Sequence, residues 1–133
     1  MRIGQSLLGI VLWTNGLVDL ICAAVLLVLP LLRIPVLGYS VFDAQGAFMA
    51  GGWGIATLAL GVGRLWASPR PAFHPLMLLL GLFEGITLAV FCAISYFLAR
   101  PPFVQVLPPL AVGVVFGFSY LVCAIQRIRE SSS

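Results

Sequence analysis

The apolar positions of this chain fall into four long blocks. The blocks cover about residues 7–29, 44–62, 75–98 and 104–125. Each is close to the roughly 20 residues that carry a helix across about 30 Å of hydrocarbon. Polar and proline residues punctuate them. Pro30, Arg33 and Pro35 stop the first block, Arg64 stops the second, Pro75 opens the third, and Arg100-Pro101-Pro102 divide the third from the fourth. Pro108 and Pro109 fall early in the fourth block, so that helix is expected to begin near Pro109 and to run to the Arg127–Arg129 cluster. Short connections force neighbouring helices to run antiparallel. The expected fold is an all-α, integral membrane four-helix bundle, with residues 1–133 forming a single transmembrane domain.

Composition sharpens this reading. Hydrophobic residues make up 62% of the 133 and charged residues 8%, against about 25% charged in soluble domains. A water-soluble enzyme and a disordered linker are excluded. Nucleic acid is excluded as a partner too, because the basic residues stand singly at the ends of apolar runs and do not gather on one face. The lipid bilayer is the expected surrounding. The first block lacks an A-x-A cleavage pattern, and Asp19 interrupts it, so it reads as a retained helix and not a signal peptide.

Every basic residue is Arg. Arg2, Arg64, Arg70, Arg127 and Arg129 fall on one side of the expected topology, and Arg33 and Arg100 on the other. That bias places both termini in the cytoplasm. Tyr39, Trp66 and Phe103 sit near predicted helix ends, as interfacial aromatics do. Trp13 and Trp53 fall inside helices and are expected to face polar groups within the bundle, since a buried indole N–H needs a partner.

Helices in lipid associate through close approach of small residues. The second helix offers Gly46, Ala50 and Gly54, the third Gly81, Gly85, Ala89 and Ala93, and the fourth Gly113 and Gly117. These faces suit packing within one chain. They equally suit a homo-oligomer or docking onto a larger membrane complex.

Two acids carry the candidate chemistry. At about 1.5 Å per residue, Asp19 lies roughly 18 Å, and Glu84 roughly 14 Å, from the cytoplasmic ends of their helices. Both are near the midplane, where an acid costs roughly 2.5–3.5 kcal/mol and seldom faces lipid. Asn15 precedes Asp19 by one turn. Glu84 shares a stripe with Thr87, Phe91 and Ser95, and Thr57 lies at similar depth on the second helix. A pocket of Asp19, Glu84, Asn15, Thr57, Thr87 and Trp53 is therefore expected. Arg64 should reach for the cytoplasmic interface, which leaves the acids without a cation and keeps at least one of them neutral. Such a pair could hydrogen-bond for structure, bind a cationic or polar ligand, exchange a proton, or act as acid and base on a lipophilic substrate.

Other groups add less. His74 reads as a solvated residue at a helix start and Asp43 as the N-cap of the second helix. Cys22, Cys92 and Cys123 lie unpaired inside apolar runs and read as small buried side chains. A single histidine excludes bis-histidine haem and multi-histidine metal sites. The chain has no Walker loop, GxSxG elbow or HExxH, so no cofactor or metal is expected.

Residues 42–64, FDAQGAFMAGGWGIATLALGVGR, resemble the second helix of small bacterial four-helix proteins of the DoxX-like group, where an acid and a Gly-Ala pair open a glycine-rich helix that ends at a basic residue. The four-span plan is similar as well. The group's wider relatives include sterol-isomerase and sigma-2-receptor type domains, which use membrane-embedded acids in a lipophilic ligand pocket. By placement, the resemblance implies that role for Asp19 and Glu84, although the histidines frequent in third helices of the group are missing here. The leading expectation is a pocket for a lipophilic or amine-bearing small molecule. Against it stand an accessory subunit docking through small-residue faces and, third, a membrane enzyme using the acid pair.

Overall fold

A computed structural model describes residues 3–34 and 43–132. Arg2, Pro35, Tyr39 and Phe42 lie outside the described residues. The described chain forms α1 (Ile3–Val28), α2 (Ala44–Ala67), a single 3-10 turn (Pro71–Phe73), α3 (His74–Ala99) and α4 (Phe103–Ser132). All four α-helices are long and apolar enough to cross a bilayer. The protein is an all-α, multi-pass membrane bundle.

Local chemistry sets the ends of these helices. Asp43, in extended conformation, caps α2 by accepting the Gly46 N–H at 2.6 Å, as its position predicts. Pro75 occupies the first turn of α3, where its missing N–H has no partner to lose. Arg100 closes α3 in the left-handed region at φ 49, a backbone that costs a non-glycine residue about 1–2 kcal/mol. Arg33 does the same beyond α1 at φ 56.

Two ends differ from expectation. α2 runs past Val62 through Arg64 to Ala67, because Arg64 is satisfied inside the bundle and does not need water. α4 begins at Phe103, not near Pro109. Its two prolines remove the amide donors that the carbonyls of Val104 and Gln105 would otherwise use, and the helix forms around that loss.

The helices associate mainly as two hairpins, α1 with α2 and α3 with α4. The hairpins join chiefly through α1 against α4, while α2 and α3 scarcely touch. Glycine governs both crossings. In the first hairpin Gly16 and Gly61 face each other, and a Cβ on either would lie 3.0 Å from the other's carbonyl oxygen. In the second, a Cβ on Gly85 would lie 2.5 Å from the Gly117 Cα. Ala50, Gly54, Gly81 and Gly85 are buried as their spacing implies; Gly46 and Ala89 are half-buried, and Ala93 is exposed. Leu8, Leu12, Leu78, Tyr120 and Cys123 form a core cluster toward the end of the bundle that holds His74. Cys92 is also buried and Cys22 half-buried, and all three thiols are free.

The tryptophans correct the sequence reading. Trp13 is 54% exposed and Trp53 53%, so both rings point away from the bundle. The α1–α2 crossing is too close at Gly16 and Gly61 to admit an indole, which leaves both rings on the outer face.

Candidate functional site

Antiparallel packing brings the charged residues together. A helical side chain leans toward the N-terminus of its own helix. α1 and α3 start at the same end of the bundle, as shown by the Ser68 hydroxyl donating to the Gly9 carbonyl at 2.8 Å beside the start of α3. Asp19 and Glu84 therefore lean toward that end. α2 runs the other way, so Arg64, in its last turn, leans inward toward the two acids.

Arg64 consequently lies buried between the carboxylates and donates one guanidinium nitrogen to Asp19 and the other to Glu84. This overturns two expectations: Arg64 does not extend to the cytoplasmic interface, and the acids are not without a cation. The lean of α2 outweighs the pull of the interface because two acceptors are in reach on the inner side. The arrangement suits charge-assisted, geometrically fixed bonding.

A second buried contact adjoins the cluster. The Asn15 side-chain amide donates to the Tyr120 hydroxyl at 3.0 Å, tying α1 to α4; its carbonyl oxygen, Oδ1, is buried without a hydrogen-bond partner among the described residues. Asp19, Arg64, Glu84, Asn15 and Tyr120 together draw on all four α-helices.

Three expected pocket residues make no hydrogen bond to the charged groups of the cluster. Thr57 gives its hydroxyl to the Trp53 carbonyl of its own helix at 2.9 Å. Thr87 is exposed and bonds to the carbonyls of Phe83 and Glu84, and Trp53 faces outward. Phe91 is 63% exposed, so the stripe that starts in the cluster at Glu84 turns outward by Thr87 and Phe91. The sequence reading missed Arg64 as a site residue and missed Tyr120 altogether. Both signals were present: Arg64 continues the inward stripe Ala50, Gly54, Gly61, and Tyr120 continues Gly113, Gly117, at spacings of three, four and seven.

His74 also departs from expectation. It is buried, and its Nε2 lies 3.0 Å from the Ser68 carbonyl oxygen. Because that oxygen can only accept, Nε2 carries the proton. His74 thus ties the α2–α3 turn together and is not a solvated end residue.

The charges of the central cluster do not balance. Fully ionised, two carboxylates against one guanidinium leave one negative charge. The side chains of Arg64 and Asp19 are 2% and 6% exposed, but that of Glu84 is 36% exposed. The accessible edge of the cluster is therefore the Glu84 carboxyl, facing α2 across the seam where α2 and α3 scarcely touch. Such an edge can accept a proton or a cationic group.

No protein-family model matches the chain, and no characterised protein or solved structure matches it.

Proposed function

We propose that this small multi-pass membrane protein holds the cationic head of a lipophilic, amine-bearing molecule at the Glu84 edge of the Asp19–Arg64–Glu84 cluster, reached from the lipid between α2 and α3. The observation that carries this reading is the surplus carboxylate: the one member of the cluster with exposed surface is an acid, and it borders a loosely packed seam. An ammonium group there would neutralise the cluster while its apolar body stayed in the hydrocarbon. The resemblance of residues 42–64 to DoxX-like proteins points the same way, given the ligand-binding acids of that group's wider relatives. Arg64 leaves the loop count, so Arg2, Arg70, Arg127 and Arg129 stand against Arg33 and Arg100. We place both termini in the cytoplasm on that balance, and the DoxX-like resemblance points to a bacterial inner membrane.

The rival reading, a docking subunit, loses most of its surface, because Ala50, Gly54, Gly81 and Gly85 are consumed inside the hairpins.

The test is native mass spectrometry of the full-length protein released gently from its own membranes. Wild type should carry one small molecule per chain, and Glu84→Gln should lose it while keeping its helical content. A molecule retained by Glu84→Gln, or a wild type that emerges bare while still holding structural lipid, removes the proposal.

A further inference from the structure

The opposite end of the bundle holds a feature unrelated to the acid cluster. Where α3 gives way to α4, Tyr96, Phe97, Arg100, Pro101 and Phe103 line a cavity of about 280 Å³. The space is half-open and its lining is aromatic: the Tyr96 ring centroid lies 5.7 Å from that of Phe97 and 5.9 Å from that of Phe103, both edge-on, and all three rings are partly exposed. Pro101 and Pro102 fix the backbone that follows.

One cation faces this space. The Arg100 guanidinium has no hydrogen-bond, ion-pair or ring partner among the described residues. Arg64 and Arg70 differ: the first bridges two acids, and the second stacks 4.3 Å from the Trp66 ring centroid and donates to the Trp66 carbonyl. Arg100 also holds a left-handed backbone, at a helix end where glycine is the usual and unstrained choice. A position suited to glycine carries a long cation instead, and that cation lines the half-open space.

Depth narrows the chemistry. α3 has 26 residues, about 39 Å at 1.5 Å per residue, so its ends pass beyond the roughly 30 Å hydrocarbon core into the headgroup layer. Aromatic side chains concentrate at that level, and the charged group most abundant there is phosphate. A guanidinium matches two phosphate oxygens with paired N–H donors. The cavity is smaller than most pockets for drug-sized ligands, which begin at about 300 Å³, and so suits a headgroup fragment while the chains stay outside.

We propose that the α3–α4 turn is a phosphate-binding site, with Arg100 as the anion ligand and Tyr96, Phe97 and Phe103 as its wall. A phospholipid headgroup and a soluble phosphate share the chemistry this site reads.

The two sources separate in a native mass spectrometry titration of the full-length, delipidated protein with phosphatidylglycerol, glycerol phosphate and inorganic phosphate. The test variant is Arg100→Gly, which removes the guanidinium and relieves the left-handed backbone, so lost binding does not reflect a broken turn. The first phosphatidylglycerol adduct should weaken about tenfold or more, the loss expected for a charge-assisted pair. Arg100→Lys should recover part of it, and Arg127→Ala, at the other end of the bundle, should leave it unchanged. Arg100-dependent binding of glycerol phosphate or inorganic phosphate at comparable affinity assigns the site to a soluble phosphate; binding of the lipid alone assigns it to the membrane. Equal affinity in Arg100→Gly and wild type for all three probes overturns the site.

Discussion

Replacing Arg64 by Leu is the most direct probe of the central cluster. The change leaves a side chain of useful apolar volume but strands both acids. Each charge-assisted bond contributes roughly 1.5–3 kcal/mol. The Asp19 bond is fully buried and belongs near the top of that range. The Glu84 bond is part-exposed and belongs near or below the bottom. Together they place the loss at about 4 kcal/mol, inside the roughly 3–5 kcal/mol expected when one partner of a buried pair is removed. The same reasoning gives a rescue. In Arg64→Leu/Asp19→Asn/Glu84→Gln no formal charge remains, and most of the stability should return, since whole buried ion pairs are often replaceable at little cost. Reversible unfolding in mixed micelles, or steric trapping in bicelles, measures both values. Arg64→Leu within about 1 kcal/mol of wild type, or a triple variant no more stable than the single one, would falsify a cluster held by this arginine.

Three further outcomes are expected. Gly85→Ala should destabilise by about 1–2 kcal/mol, because the group in the way is Gly117 backbone, which puts the overpacking cost in the upper part, about 2–3 kcal/mol, of its usual range, against a helix-propensity gain of about 1 kcal/mol. Gly51→Ala, with open space around it, should be neutral or slightly stabilising in the same unfolding assay, and equal losses at both sites would contradict the described crossing. Tyr120→Phe should cost about 1–3 kcal/mol by leaving the Asn15 amide unsatisfied; Asn15→Leu in that background should recover part of the loss, and a double-mutant cycle with no coupling argues against the bond. Asp43→Ala should cost about 0.5–2 kcal/mol and speed hydrogen exchange at the Gly46 amide; unchanged exchange there means that Asp43 is not the cap.

The fold was legible because bilayer thickness acts on block length, which is visible without any contact. Asp43 was legible for a similar reason: a cap depends on residues within one turn. The site was legible in part. Asp19, Asn15 and Glu84 were found from depth and polarity, properties of a single helix. Thr57, Thr87 and Trp53 were misplaced because depth says nothing about azimuth, which the Gly16–Gly61 crossing sets for α1 and α2 and the Gly85–Gly117 crossing sets for α3. Arg64 was misread because a residue in the last turn was assigned to the nearest water. Its lean follows from the direction of α2, which the short connections already fixed, so the needed information was present but not combined. His74 shows the reverse case: its burial depends on the path of the turn from Ser68 to Phe73, which hydropathy does not encode.

The way charge divides between the hairpins bears on how the protein is made. Asp19 and Arg64 belong to the same N-terminal hairpin, and within the bilayer they sum to zero. That hairpin can close its ion pair while Glu84 is still in the ribosome. Glu84 enters with the second hairpin as an uncompensated acid, and the free hydrogen-bonding capacity of Arg64 is what receives it. Because α2 and α3 offer each other little else, this bond closes the one seam between hairpins that the α1–α4 contact, with its Asn15–Tyr120 hydrogen bond, leaves open. Loss of Asp19 would then be felt while α2 is being inserted, and loss of Glu84 only when the finished hairpins meet. A pulse-chase of membrane integration would resolve the two events, and simultaneous defects would show that the hairpins assemble as one.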